Sequence, residues 1–517
     1  MKSILAAHLA VALRHIPPAR RALAHGLWIV VVAASFFALA GLIGCATTPP
    51  SSAPGTKASA GAKASPGERL SGCVEAATPF VAMQKSKECD KCKGLLLPGR
   101  AEPISEFPYT IWSDLPEVFC SSGVLYTTWP QLPAPPSGPP PEPMRLQTSP
   151  TGWTFVDGSF QLFLWHTVYH CQPASPPKRV VIYARNDGAV PVEIAPAQIL
   201  LTDGTIGTTH EMESTLGRRV LENAWDRPLE TVTIAPGKGG VIGYSKRFAD
   251  SADGPDQSIN QNCLGMFRAE VKASEGGKKG ASVAKGKPQL TVYVVAIDAA
   301  PPAENQARAE ALLNQGAVSG DTIIDMTTPP SGCQVRRQTG VFPSFVWRSA
   351  PVVIDAARLT PQGLSFLTAA WEQATLGCLE ARQTATMLLH PPYTRPDTIG
   401  NYMVDYRVTL KVVNSDPVNK RGFDVRFGKD DADIGLAWRV AVGAEAASDA
   451  EVDARPVRTG WSGPKQASPS RSFLAEDGGP IILNPCQSRV ITVHFLVLGN
   501  SSLPFDITLT PVAAMLR

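Results

Sequence analysis

RVVIYARNDGAVPVEI, from Arg179 to Ile194, decides the fold class of this chain. A run rich in β-branched and aromatic residues enters an Asn-Asp-Gly turn and leaves as alternating apolar and polar side chains. That is the pattern of two strands joined by a tight turn. It returns in the second half as YRVTLKVVNSDPVNKRGFDVRF, from Tyr406 to Phe427. Farther along, VTIAP (Val232 to Pro236) leads to GVIGY (Gly240 to Tyr244), while IILNP (Ile481 to Pro485) leads to RVITVHF (Arg489 to Phe495). Each half closes on a further strand, Gln289 to Ile297 and Phe505 to Thr510. One strand order met twice predicts an all-β protein of two tandem Ig-like β-sandwiches, with a hairpin at each Asn-led turn.

Composition agrees. The 517 residues include 47 Pro and 43 Gly, and 44% are hydrophobic, which suits short strands separated by turns. A formal charge of +3 is too small to imply a nucleic-acid partner. Lys278, Lys279, Lys285 and Lys287 fall in a Gly/Ser/Ala loop and read as a solvated hairpin tip. The best helical stretch is PAENQARAEALLNQGA, from Pro302 to Ala317, ended by Gly316 and read as a linker helix packed on a sandwich. A second short helix is expected over Leu364 to Cys378, where Leu367, Trp371 and Leu376 would share a face.

The amino terminus carries an address. Lys2, Arg14, Arg20 and Arg21 precede an apolar run, LWIVVVAASFFALAGLI, from Leu27 to Ile43. A basic n-region, an apolar h-region and a small residue before the cut describe a secretory signal. Leu42-Ile43-Gly44-Cys45 resembles the lipobox of bacterial lipoproteins, in which the cysteine is acylated. That resemblance implies membrane attachment through acyl chains on Cys45 and, with Ala46 in the next position, the outer membrane. The Pro/Ser/Ala/Gly/Lys segment behind it cannot bury enough apolar surface to fold and reads as a disordered tether. The expected organisation is therefore a signal peptide (1–44), a tether (45–72), a Cys/Pro-rich extension (73–145), sandwich one (146–300), a linker (301–330) and sandwich two (331–517).

Further motifs resemble a bacterial family best represented in cyanobacteria, the domain of unknown function numbered thirty-three seventy. They are Leu97-Pro98-Gly99, Leu115-Pro116-Glu117-Val118, Gly123-Val124-Leu125-Tyr126, Gly158 to Phe163 with His166, and Gly217-Arg218-Arg219-Val220. The second half adds Gly400 to Tyr406 and Ser488 to Phe495. The resemblance implies an exported two-part β protein. It brings no accepted activity, so no catalytic residue is carried over.

Candidate chemistry is sparse. Cys89-Asp90-Lys91-Cys92 is a CxxC pair flanked by lysines that would favour a thiolate, so Cys89 and Cys92 are candidates for redox or metal chemistry. Neither cysteine fits the family pattern. The motif lacks a strand-to-helix context, and an exported chain with this many cysteines is expected to form disulfides, for example Cys171 with Cys263. His166 and His170 are four apart, but on a strand that places them about 13 Å from each other, which favours a structural role. Asp430, Asp431 and Asp433 could hold calcium, yet lack EF-hand spacing and read as a solvated turn. No Gly-x-Ser-x-Gly, phosphate loop or dinucleotide motif occurs, and no cofactor is implied. The sequence thus describes a lipid-anchored envelope protein whose role is binding or structural, with an envelope protein or polysaccharide as partner. An enzyme acting on envelope polysaccharide through paired carboxylates is the alternative, followed by CxxC redox or metal handling.

Overall fold

The computed structural model describes residues between 95 and 512, with breaks that include 129–155, 247–260, 318–338 and 370–401. The expected signal peptide and tether, with Cys45, Cys89, Cys92 and Cys171, lie outside the described residues. The body is an all-β fold of two sandwiches. Among the described residues it contains twenty-four strands and three α-helices. From the amino terminus come β1 (Leu95–Leu96), β2 (Gly99–Pro103), β3 (Tyr109–Ser113), β4 (Val118–Phe119) and β5 (Gly123–Thr127). The first sandwich continues with β6 (Phe160–Val168), β7 (Lys178–Asn186), β8 (Val192–Leu201), helix α1 (Thr209–Leu221), β9 (Val232–Ile234), β10 (Gly239–Tyr244), β11 (Gln261–Ala273) and β12 (Leu290–Asp298). Helix α2 (Asn305–Gln315) leads to β13 (Thr339–Pro343), β14 (Phe345–Ser349), β15 (Val352–Asp355) and β16 (Leu364–Thr368). The second sandwich adds β17 (Asp405–Val413), β18 (Arg421–Gly428), β19 (Ile434–Gly443), α3 (Asp449–Asp453), β20 (Arg458–Ser462), β21 (Ser470–Ser472), β22 (Ile481–Leu483), β23 (Ser488–Val497) and β24 (Phe505–Pro511).

In the first sandwich a sheet β10-β7-β12-β5 faces a sheet β13-β3-β6-β11-β8-β9. In the second, β2-β14-β17-β23-β19-β20 faces β1-β16-β24-β18-β21. Alternation explains which side chains meet. Even-numbered residues of β6 such as Phe160, Leu162 and Leu164 join the core between the first pair of sheets, with Val180, Ile182 and Val292 opposite. Odd-numbered Phe163 and Trp165, on the other face, share a core with the second sandwich. Full burial of each large side chain contributes roughly 1.5–3 kcal/mol, so this shared face fastens the two sandwiches into one body. Helix α2 covers the outer face of the four-stranded sheet through Ala309 and Leu313, and Gly316 (φ 62°) ends it, as its sequence predicts.

The repeat is real, and its pairing corrects its reading. β7 pairs with β10 as β17 pairs with β23; β8 pairs with β9 as β18 pairs with β22. β11 joins β8 to β6 as β24 joins β18 to β16, and β3 runs parallel to β6 as β1 does to β16. The counterpart of Phe505–Pro511 is therefore β11, not the strand near Gln289 to Ile297. The Asn-led turns are not hairpins either: β7 and β8 lie in opposite sheets, as do β17 and β18. Each turn is a corner tied by its asparagine. Asn186 Nδ2 donates to Val190 O (2.7 Å) and Ile234 O (3.0 Å), and Asn414 Nδ2 donates to Asn419 O (2.8 Å) and Asn484 O (3.1 Å).

Two other expectations change. Leu364–Thr368 forms strand β16 rather than a helix, because its register with β24 buries Phe366 in the core; 370–378 lie outside the described residues. The stretch 95–127, read as part of an extension, supplies strands to both sandwiches. β1 and β2 pair in the second, β3 to β5 in the first, and β13, expected within sandwich two, pairs with β3 in the first. The copies also differ between matched strands. Between β8 and β9 the first inserts α1, and between β18 and β22 the second inserts β19, α3, β20 and β21. These insertions pack on each other. Gly217 of α1 lies so close to Leu498 and Ala437 that a Cβ there would sit 2.4 and 2.8 Å from their side chains. Trp461 Nε1 donates to Ser214 Oγ (3.2 Å) and its ring stacks on His210 at 3.7 Å.

Candidate functional site

One face of the second sandwich carries a basic row. Arg100, Arg348, Arg407, His494 and Arg439 are directly opposite one another across β2, β14, β17, β23 and β19. Five strands at about 4.8 Å spacing span roughly 19 Å. Like charges placed opposite one another repel, so such a row needs acids beside it. Four carboxylates supply them. Glu102 accepts from Arg100 (3.0 Å) and Arg348 (3.0 Å), and Asp405 accepts from Arg407 (2.8 Å). The other two come from α3, where Asp449 and Asp453 are four residues apart and share a face. Asp449 accepts from both terminal nitrogens of Arg348 (3.1 and 2.8 Å) and from Arg407, and lies 3.3 Å from His494 Nε2. Asp453 lies 3.2 Å from His494 Nδ1 and 3.7 Å from Arg439. A capping box between Ser448 and Glu451 holds the start of this short helix. The hydrogen bonds from Arg348, with the charge of Arg407 against opposing burial, bring the Asp449 carboxyl down to about 2.

The row runs into a cleft of about 510 Å3 between the two seven-stranded sheets, closed at one end by the last turn of α1. Its depth is aromatic: Trp112 stacks on Tyr402 at 6.3 Å and meets Phe342 edge-on at 4.9 Å. Its polar wall comes from both halves, with Arg407, Arg439 and Asp405 on one side and Gln161 and Arg268 on the other. Two of these guanidinium groups are already engaged. Arg407 is held by Asp405 and Asp449; burial disfavours its charge, but the two carboxylates outweigh that and raise its pKa. Arg439 donates to Leu221 O (2.8 Å), taking up a carbonyl at the end of α1, and to Asp453 O.

Arg268 is different. Its guanidinium lies over the rings of Trp225 (4.4 Å) and Phe107 (5.2 Å), and its Nε donates to Gln161 Oε1 (3.3 Å). Among the described residues no carboxylate reaches ion-pair distance; Glu106 attracts it only from farther off. Burial, partly offset by Glu106, lowers its pKa to about 10. A partly exposed, aromatic-flanked cation at the mouth of a cleft is an anion receptor by its chemistry.

The residues singled out in the sequence lie elsewhere. His166 is fully buried between the first pair of sheets, its Nε2 2.8 Å from Ser113 Oγ and its ring edge-on to Phe119. Ser113 and His166 are the elements of a nucleophile–base pair, but both are 0% exposed, so no substrate reaches them. His170 lies outside the described residues, as do Asp430 and Asp431; Asp433 accepts the Ser502 N–H through its carbonyl. Cys263 corrects the suggested pairing with Cys171: it is a free thiol, fully buried in the first core, where burial pushes its pKa up to about 12. No group of three or more metal-ligating side chains occurs among the described residues, and no helix there is long and apolar enough to cross a membrane.

Sequence reasoning passed over Arg268, Arg407 and Arg439. A signal existed, since Leu264, Met266 and Arg268 alternate on one face of β11, and a charge ending an apolar face marks the edge of a core. The face of α1 was legible too, as Met212, Leu216 and Val220 at spacing four. No family model matches this chain, and no curated protein matches it.

Proposed function

We propose that this chain is a lipid-anchored protein of the cell envelope, held at the outer membrane, that binds an envelope saccharide in the cleft between its two sandwiches without transforming it. The observation that carries the reading is the cleft itself, where aromatic depth and polar groups from both halves converge in a volume typical of small-ligand sites, roughly 300–1,000 Å3. A glycosidase would need two available carboxylates about 5–9.5 Å apart. Of the four carboxylates that line the cleft among the described residues, Asp405 is tied to Arg407 and Asp453 lies against His494 and Arg439, while Glu106 and Glu222 are exposed at its mouth; no free carboxylate stands in its depth, which supports binding over catalysis. Anchoring rests on the lipobox-like Leu42 to Cys45, and the tether behind it gives the body reach from the lipid surface.

The test uses full-length protein in detergent micelles and oligosaccharides released from the envelope. Glu222 is exposed and lines the cleft mouth, so Glu222→Trp blocks entry while Glu222→Gln does not. Retention of oligosaccharide by wild type and Glu222→Gln, with at least tenfold less by Glu222→Trp, is the expected result. Equal retention by all three, or steady chain cleavage by wild type, would overturn the reading.

A further inference from the structure

We propose that the bound saccharide is acidic, and that Arg268 receives a carboxylate carried on its sugar ring. The inference rests on the cleft being the binding site and specifies what it selects. Three guanidinium groups line the cleft, and two are already matched by this chain's own acceptors: Arg407 by Asp405 and Asp449, Arg439 by the carbonyls of Leu221 and Asp453. Arg268 alone has only the neutral Gln161 as acceptor among the described residues. Trp225 and Phe107 fix its plane without neutralising it, so its terminal nitrogens remain as a preset fork. A planar fork fits a planar carboxylate through two parallel hydrogen bonds, and a partly desolvated cation strengthens them.

The surroundings decide which anion. The exposed Glu106 is the carboxylate whose charge reaches Arg268, so a doubly charged phosphate there would meet more repulsion than a single negative charge, which Arg268 satisfies. The remaining polar wall, with the Thr110 hydroxyl and the Gln161 amide, suits sugar hydroxyls, and the partly buried Tyr402 adds aromatic surface to the lining, suited to a sugar's C–H groups. The group recognised is therefore a uronic acid rather than a neutral or phosphorylated sugar.

Calorimetric titration of the full-length protein in micelles separates the possibilities. The probes are a β-linked diglucuronate, the matching neutral cellobiose and cellobiose phosphate, with R268Q and R268K as variants and thermal melting to verify folding. Wild type is expected to bind diglucuronate at least tenfold tighter than either other probe. R268Q should erase that preference, R268K should keep part of it, and raising NaCl from about 50 to 500 mM should shrink it. Equal affinity for acidic and neutral probes, a preference for the phosphate, or an unchanged preference in R268Q would overturn the inference. If cellobiose binds and Glu222→Trp blocks it while no acidic preference appears, the cleft remains the site and only the uronate assignment fails. If no probe binds, both readings fall.

Discussion

Asp449 shows how much of this protein rests on single carboxylates. It receives both terminal nitrogens of Arg348 and one from Arg407 on a row where arginines stand opposite arginines. Its pKa falls from 3.8 to about 2 in the fold, so its contribution to stability is complete above about pH 4 and disappears as pH drops toward 2. Chemical denaturation between pH 5 and 2 should show wild type losing stability across that window. In Asp449→Asn the slope should be shallower, and the variant should already be less stable at pH 5; identical slopes would remove Asp449 from the account. Little of this was readable beforehand. The sequence displays Arg348, Arg407, Arg439 and His494 as unrelated polar positions on separate strands, and only the register brings them into one row. The CxxC pair, by contrast, is conspicuous in the sequence and lies outside the described residues.

Among the elements, the strands were legible and their partners were not. RVVIYAR and YRVTLKVV are strands as their side chains predict, because β-branched and aromatic residues pack well on a pleated surface. A turn after a strand, however, has the same local chemistry whether the chain doubles back or crosses to the other sheet. What makes these turns corners is the reach of Asn186 to Ile234 and of Asn414 to Asn484, contacts far along the chain. Helix α1 illustrates the balance of terms. An alanine at Gly217 would gain about 1 kcal/mol in helix propensity. The added methyl would stand 2.8 Å from the Ala437 Cβ and 2.4 Å from Leu498 Cδ2, both on fully buried residues, and overpacking of that kind costs about 1–3 kcal/mol. The clash wins, so Gly217→Ala should lower the denaturation midpoint, with the tryptophan fluorescence of Trp461 reporting altered docking of α1. A raised midpoint would mean that the insertions pack less tightly than described.

At the scale of the whole molecule, one strand order used twice has yielded a site that neither copy contains. Each copy contributes one seven-stranded sheet, each inserts a different element at the same place, and the two insertions meet at the end of the cleft. Strands exchanged near residues 95–113 and 339–349 cross between the sandwiches and hold the two walls together. The central claim is that ligand enters between those walls. Hydrogen–deuterium exchange of the full-length protein, with and without envelope oligosaccharide, tests it most directly. Slowed exchange is expected along the cleft lining, at 104–112, 161–163, 220–226, 266–268, 342–346 and 402–407, and none on the four-stranded sheet of β7 and β12. Protection on that outer sheet, or no protection at the cleft with oligosaccharide bound, would contradict it.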